Sequence, residues 1–163
     1  MDKPVKHTIA LALIRGSKVL VVLRPNDPGE ELPGVWGLPA ASQRGQESVD
    51  DMVRRIAHDK LGLPDVQIDQ LLVHGSQERP SYILEMDIYM ASTAASPRLP
   101  ARPAVLHLQA AGRGVSTATV APTTFYIDWQ WAYPEVLTPA AKQGSLCAQL
   151  FLESQGRWRR KVS

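Results

Sequence analysis

Carboxylates, one arginine and a group of aromatic rings are the side chains through which this chain could do chemistry. Glu47 and Arg55 stand eight residues apart across the start of a helical stretch. A carboxylate and a guanidinium can form an ion pair, and a carboxylate can also take part in acid–base work. Phe125, Tyr126, Trp129, Trp131 and Tyr133 crowd into nine residues of a chain that is only 6% aromatic. They could stack on a flat base or pack beneath the terminal helix. If 125–131 is a strand, Tyr126 and Asp128 face one way and Phe125, Trp129 and Trp131 the other, so one pocket cannot use them all. His7, His58, His74 and His107 show no metal-ligand spacing and read as surface or satisfied core histidines.

The elements that must position these groups follow from periodicity. Ile9–Ile14 and Lys18–Leu23 are β-rich runs separated by Arg15, Gly16 and Ser17, the signal of an antiparallel hairpin. Residues 25–34 hold three prolines and two glycines and read as a loop. Trp36–Ala40 is a short extended stretch, and Ser42–Gln46 is a polar loop. Val49, Met52, Val53 and Ile56 then fall at i, i+3, i+4 and i+7, an amphipathic helix stopped by Gly62 and Pro64. Asp50 and Asp51 suit the positive end of that helix. Val66–His74 and Tyr82–Ala91 read as strands, the second with Glu85, Asp87 and Tyr89 on one face, polar enough to line a cleft. Residues 92–104 read as a proline-rich loop. Further strands are expected at Val105–Gln109, Ser116–Val120 and Phe125–Trp131, and a terminal helix over Thr138–Ser154 with Cys147 as a small apolar residue within it. This order implies a mixed sheet between helices.

The 163 residues, 44% apolar and 21% charged, suit one domain, with its core over about 7–154 and a basic tail over 155–163. The formal charge is +2, and the tail residues Arg157, Arg159, Arg160 and Lys161 account for more than that, leaving a slightly acidic body. General nucleic-acid binding is therefore not expected. A single cysteine cannot form an internal disulfide, which suits a reducing, cytoplasmic compartment. The apolar run Thr8–Ile14 is too short to span a bilayer, and no membrane partner is expected.

Residues 36–63, WGLPAASQRGQESVDDMVRRIAHDKLGL, resemble the Nudix family, whose box runs G-x5-E-x7-R-E-U-x-E-E-x-G-U with U apolar. Trp36, Leu38 and Pro39 match the approach to the box, Glu47 its isolated glutamate, Arg55 its arginine, and Gly62 with Leu63 its end. Every gap has the family length. The box glycine is Ala41, and the three helix glutamates that follow the arginine are Ile56, Asp59 and Lys60. The resemblance implies an α/β/α sandwich with a mixed central sheet. It also implies water attacking a phosphoanhydride of a nucleoside diphosphate derivative, with Mg²⁺ or Mn²⁺ held by the glutamates.

By the same resemblance, Glu47, Arg55 and Asp59 are the candidate catalytic residues, with Asp59, Glu47 and Glu78 as candidate metal ligands. Arg24, Glu85 and Trp129 are candidate contacts to a nucleotide-like substrate. Lys60 cancels the charge of Asp59, and two unit charges at ~4 Å interact by ~4 kcal/mol at an effective dielectric near 20, doubled for a divalent ion. A lysine turned inward would repel the metal. Two readings follow: a reduced metal site with weak hydrolysis, or a cofactor-free module that binds a nucleotide-like ligand or a protein, with a homodimer compatible with either.

Overall fold

The computed structural model describes residues 2–26, 32–100 and 125–159. Within them the chain builds strands β1 (Val5–Arg15), β2 (Lys18–Leu23), β3 (Trp36–Gly37) and β4 (Ala40–Ser42) before its first helix. That helix, α1 (Val49–Arg54), continues as a π-helical turn over Arg55–Lys60. Strands β5 (Gln67–Glu78), β6 (Ile83–Ser92) and β7 (Asp128–Ala132) follow, then a 3-10 turn (Pro134–Leu137), α2 (Thr138–Lys142) and α3 (Leu146–Ser154).

The hairpin expected around Gly16 forms, with Arg15 opposite Lys18 and Ile14 opposite Val19. β1 also runs parallel to β6, from Val5 against Ile83 to Leu13 against Ala91, and this pairing makes the sheet mixed. The strand order is β3-β2-β1-β6-β5, with β4 added to β1 and β7 to β2. Both faces of the sheet are covered, so β1 is buried continuously from Thr8 to Leu13 rather than at alternate residues. Ile9, Leu11, Leu13, Leu20 and Val22 pack beneath Met52, Val53, Ile56 and Ala57 of the first helix. Ala10, Ala12, Val19, Val21 and Ile88 pack on the other side against Ala140, Ala141, Leu150 and Phe151. The architecture is the expected α/β/α sandwich.

Several local expectations are corrected. The terminal helix is not continuous: Gly144 takes φ +99° and the Ser145 hydroxyl accepts the Ala148 N–H as an N-cap, so α2 ends and α3 begins anew. β5 outruns its expected end because Gly75 lets the strand pass beneath Leu150, whose Cδ2 would lie 2.6 Å from a Cβ there. The aromatic strand starts only at Asp128, so Tyr126 escapes the expected alternation. It joins the α1-side cluster, against which Trp129 and Trp131 also pack, instead of lying under the terminal helix. Val49, expected on the apolar stripe, is 41% exposed. The strands expected at Val105–Gln109 and Ser116–Val120 lie outside the described residues, as do parts of the 25–34 loop, the 92–104 loop and the basic tail. No helix among the described residues is long and apolar enough to cross a membrane.

Candidate functional site

The first helix changes winding at Arg55, inside the stretch that resembles the Nudix box. Ser48 caps α1 by accepting the Asp51 N–H, and ordinary helical geometry holds to Arg54. From Arg55 the coil widens, and Leu61 N–H reaches back five residues to Ile56 O at 3.1 Å. Gly62, at φ +62°, then ends the turn, and a Cβ there would overlap the Arg98 carbonyl oxygen. In this winding Ile56 and Lys60 both turn inward while His58 and Asp59 stay at the surface. Ile56 is fully buried, so a position that could have held a carboxylate is core packing.

Lys60 is only 5% exposed, which is rare for a lysine. Its Nζ donates to Ala40 O at 2.5 Å and stands 4.7 Å from the centre of the Tyr126 ring. Tyr126 closes the arrangement: its hydroxyl accepts the Ala40 N–H at 3.0 Å and donates to Ala40 O at 3.2 Å. The backbone of one residue, Ala40, thus joins β4, the first helix and the segment before β7.

Lys60 and Tyr126 form part of the wall of a cavity of about 310 Å³ at one end of the sheet. The charged side chains among its described lining residues are Lys6, Arg24, Lys60 and Arg79, all cationic. Lys6, Thr8, Leu84 and Met86 come from the sheet face that carries α3, in register across the parallel β1–β6 pair. Ser145, Leu146 and Cys147, the cap and first turn of α3, add a further wall. Burial pushes the Cys147 thiol up to about 12, opposed by the nearby Arg24 charge, so it is protonated at neutral pH.

Arg24 is therefore at the cavity, as expected of a ligand contact. Glu47 and Arg55 come together away from its walls. Arg55 Nη2 and Nε donate to the two carboxylate oxygens at 2.7 and 3.1 Å, and Nη2 also reaches Ser42 O at 2.7 Å. The Arg55 hydrogen bonds hold the Glu47 carboxyl below its ordinary 4.5, partial burial working against them and the Arg44 N–H with them. The other proposed acids go elsewhere. Asp59 is exposed on the outer side of the π turn, because the inward positions four apart are taken by Ile56 and Lys60. Glu78 pairs with Lys3 at 2.6 Å on the surface. Glu85 faces His7 at 3.4 Å, and the neighbouring Asp87 meets His74 at 2.5 Å. These two acids occupy the face of β6 opposite to Leu84 and Met86, so the cavity is lined by the apolar face and not, as expected, by the polar one. Trp129 sits opposite Val22 and packs on the α1-side core.

No family model matches the sequence, and no curated protein matches it. Solved structures do. A Nudix hydrolase from Nitrosomonas europaea superposes with a TM-score of 0.61 at 13% identity, covering 99% of this chain and 98% of that one. The MutT protein of Methanosarcina mazei Go1 gives 0.60 at 13% identity over 85% of this chain and 84% of its own. A protein from Jonesia denitrificans, described as a possible asymmetric diadenosine tetraphosphate hydrolase, gives 0.57 at 14% identity over 99% of each. The fold is the Nudix fold. A divalent ion is the cofactor that this fold brings to mind, and the donor set here does not fit it. Where three helix carboxylates would converge there is a buried isoleucine, an outward aspartate and an inward ammonium. Among the described residues no three His, Cys, Asp or Glu side chains come together in a way that could hold a metal.

The role of Lys60 and Tyr126 in the cavity was not assigned from sequence. A signal for Lys60 existed, since it stands four residues after Ile56 and continues the apolar stripe. Tyr126 gave no such signal, because its contact with Ala40 spans 86 residues.

Proposed function

We propose that this Nudix-fold chain binds a nucleotide-like anion in the cavity, with metal-dependent phosphoanhydride hydrolysis weak or lost. The observation that carries this reading is the Lys60 ammonium bound to Ala40 O, at the box position of a metal-binding glutamate. An ammonium there repels a divalent cation and attracts a phosphate. Glu47 and Arg55, which would support the helix and the metal in a hydrolase, act in this reading as a structural ion pair, and Asp59 as a solvated carboxylate. Arg24 serves as a ligand contact.

The test is incubation with a panel of nucleoside diphosphate derivatives plus Mg²⁺ or Mn²⁺, comparing the natural chain with Glu47→Gln and Asp59→Asn. Thermal stabilisation by a nucleotide without product formation supports the reading. Efficient metal-dependent turnover that both variants abolish overturns it, restoring Glu47 and Asp59 to catalysis.

A further inference from the structure

Building on that binding reading, we propose that the cavity takes its ligand as a metal-free polyanion, a diphosphate or similar group without magnesium attached. The Lys60 ammonium supplies the positive charge at its centre. Four cationic side chains line the space, with no carboxylate among the described lining residues. Lys60 matters most because it is 5% exposed and its hydrogen-bond acceptor is a neutral carbonyl, Ala40 O. A buried ammonium without a counter-charge is unfavourable, and an entering anion provides one. The nearest box carboxylates do not: Glu47 is engaged by Arg55 at 2.7 Å, and Asp59 faces outward.

The rest of the wall favours the same ligand. Arg24 offers a planar guanidinium suited to two phosphate oxygens. The hydroxyls of Thr8 and Ser42 both line the cavity and share a hydrogen bond of 3.1 Å, which leaves one hydroxyl proton of the pair to donate to an oxygen acceptor. The N-terminal turn of the nine-residue α3 adds partial positive charge of the same sign. A bare diphosphate carries enough negative charge to match this set. Its magnesium complex carries two fewer negative charges and brings a cation toward Lys60, which the cavity does not compensate.

The experiment is calorimetric titration of the natural chain with inorganic pyrophosphate and with ADP. Each is run in EDTA and in excess Mg²⁺, at ionic strength matched with sodium chloride. Lys60→Met, Arg24→Gln and the exposed control Lys142→Gln are run alongside. The expected result is binding in EDTA that weakens about tenfold or more in Mg²⁺ as free anion is withdrawn into its complex. Lys60→Met and Arg24→Gln each lose about tenfold in affinity and Lys142→Gln is unchanged. Binding that Mg²⁺ tightens, failure of both anions to bind, or loss in neither cavity variant overturns the inference. The magnesium comparison needs only the natural chain, so a variant that fails to fold leaves the test intact. Magnesium-tightened binding without turnover defeats this inference alone, whereas efficient metal-dependent turnover defeats the proposed function and takes this inference with it.

Discussion

Removing the charge of Glu47 tests whether the Glu47–Arg55 pair, which matches the family box, is scaffold or catalyst in this chain. The carboxylate lies 2.7 and 3.1 Å from two nitrogens of Arg55 and also accepts the Arg44 N–H at 3.1 Å. The two side chains are only 15% and 10% exposed. Exposed ion pairs contribute about 0–1 kcal/mol, while breaking a fully buried one costs about 3–5 kcal/mol. This two-point pair, buried but reachable by water at one edge, falls between: Glu47→Gln should cost about 2 kcal/mol. The partner variant Arg55→Met should lose a similar amount, and the double-mutant cycle should give a coupling near 1.5–2 kcal/mol. The pH dependence has a fixed sign. Because the folded-state carboxyl titrates below its ordinary 4.5, the stabilisation is fully present above that value. It is lost as pH falls through the depressed folded-state value. Urea unfolding at neutral pH and on a descending acid series measures both, with and without Mg²⁺. A coupling of about 0.5 kcal/mol or less would place the pair among ordinary surface bridges. A coupling that acid leaves untouched, or one present only with Mg²⁺, would refute the scaffold argument.

Three further outcomes follow from the geometry. Gly62→Ala should destabilise by about 2 kcal/mol or more in urea unfolding, since the residue combines φ +62° with a Cβ that overlaps the Arg98 carbonyl; a loss under about 0.5 kcal/mol would mean the turn relaxes freely. Tyr126→Phe removes the acceptor for Ala40 N–H and should cost about 1–2 kcal/mol, measured the same way, with no loss expected if water replaces the hydroxyl. Cys147, its thiol pushed up to about 12 by burial, should alkylate at pH 8 more slowly than an unperturbed thiol, and labelling at the ordinary rate would contradict its desolvation.

How much of this was legible in the sequence depends on the range of the interaction. The β1–β2 hairpin and the helix start at Ser48 are local, signalled by Gly16 and by the spacing of Met52, Val53 and Ile56, and both form. Gly144 followed by Ser145 was a readable stop-and-cap signal inside the terminal helix, overridden by the apolar run around it. The inward turn of Lys60 has only a partial signal, its place four residues after Ile56, because periodicity assumes uniform winding and the first helix widens from Arg55. The cavity itself was beyond reach, because its walls come from β1, β6, the π turn and α3, brought together only by the parallel β1–β6 pairing. Glu85 shows the converse failure. Strand alternation correctly separated it from Leu84 and Met86, but could not tell which face would border empty space.

The Ala40 peptide has a consequence for synthesis on the ribosome. It receives a lysine from 20 residues downstream and a phenol from 86 residues downstream, so its bonding is complete only after the later residue has left the exit tunnel. Until then a growing chain that has already made its hairpin carries an unsealed seam beside β4. Fragments that stop short of Tyr126 should therefore be degraded quickly, even though most of the sheet has been translated.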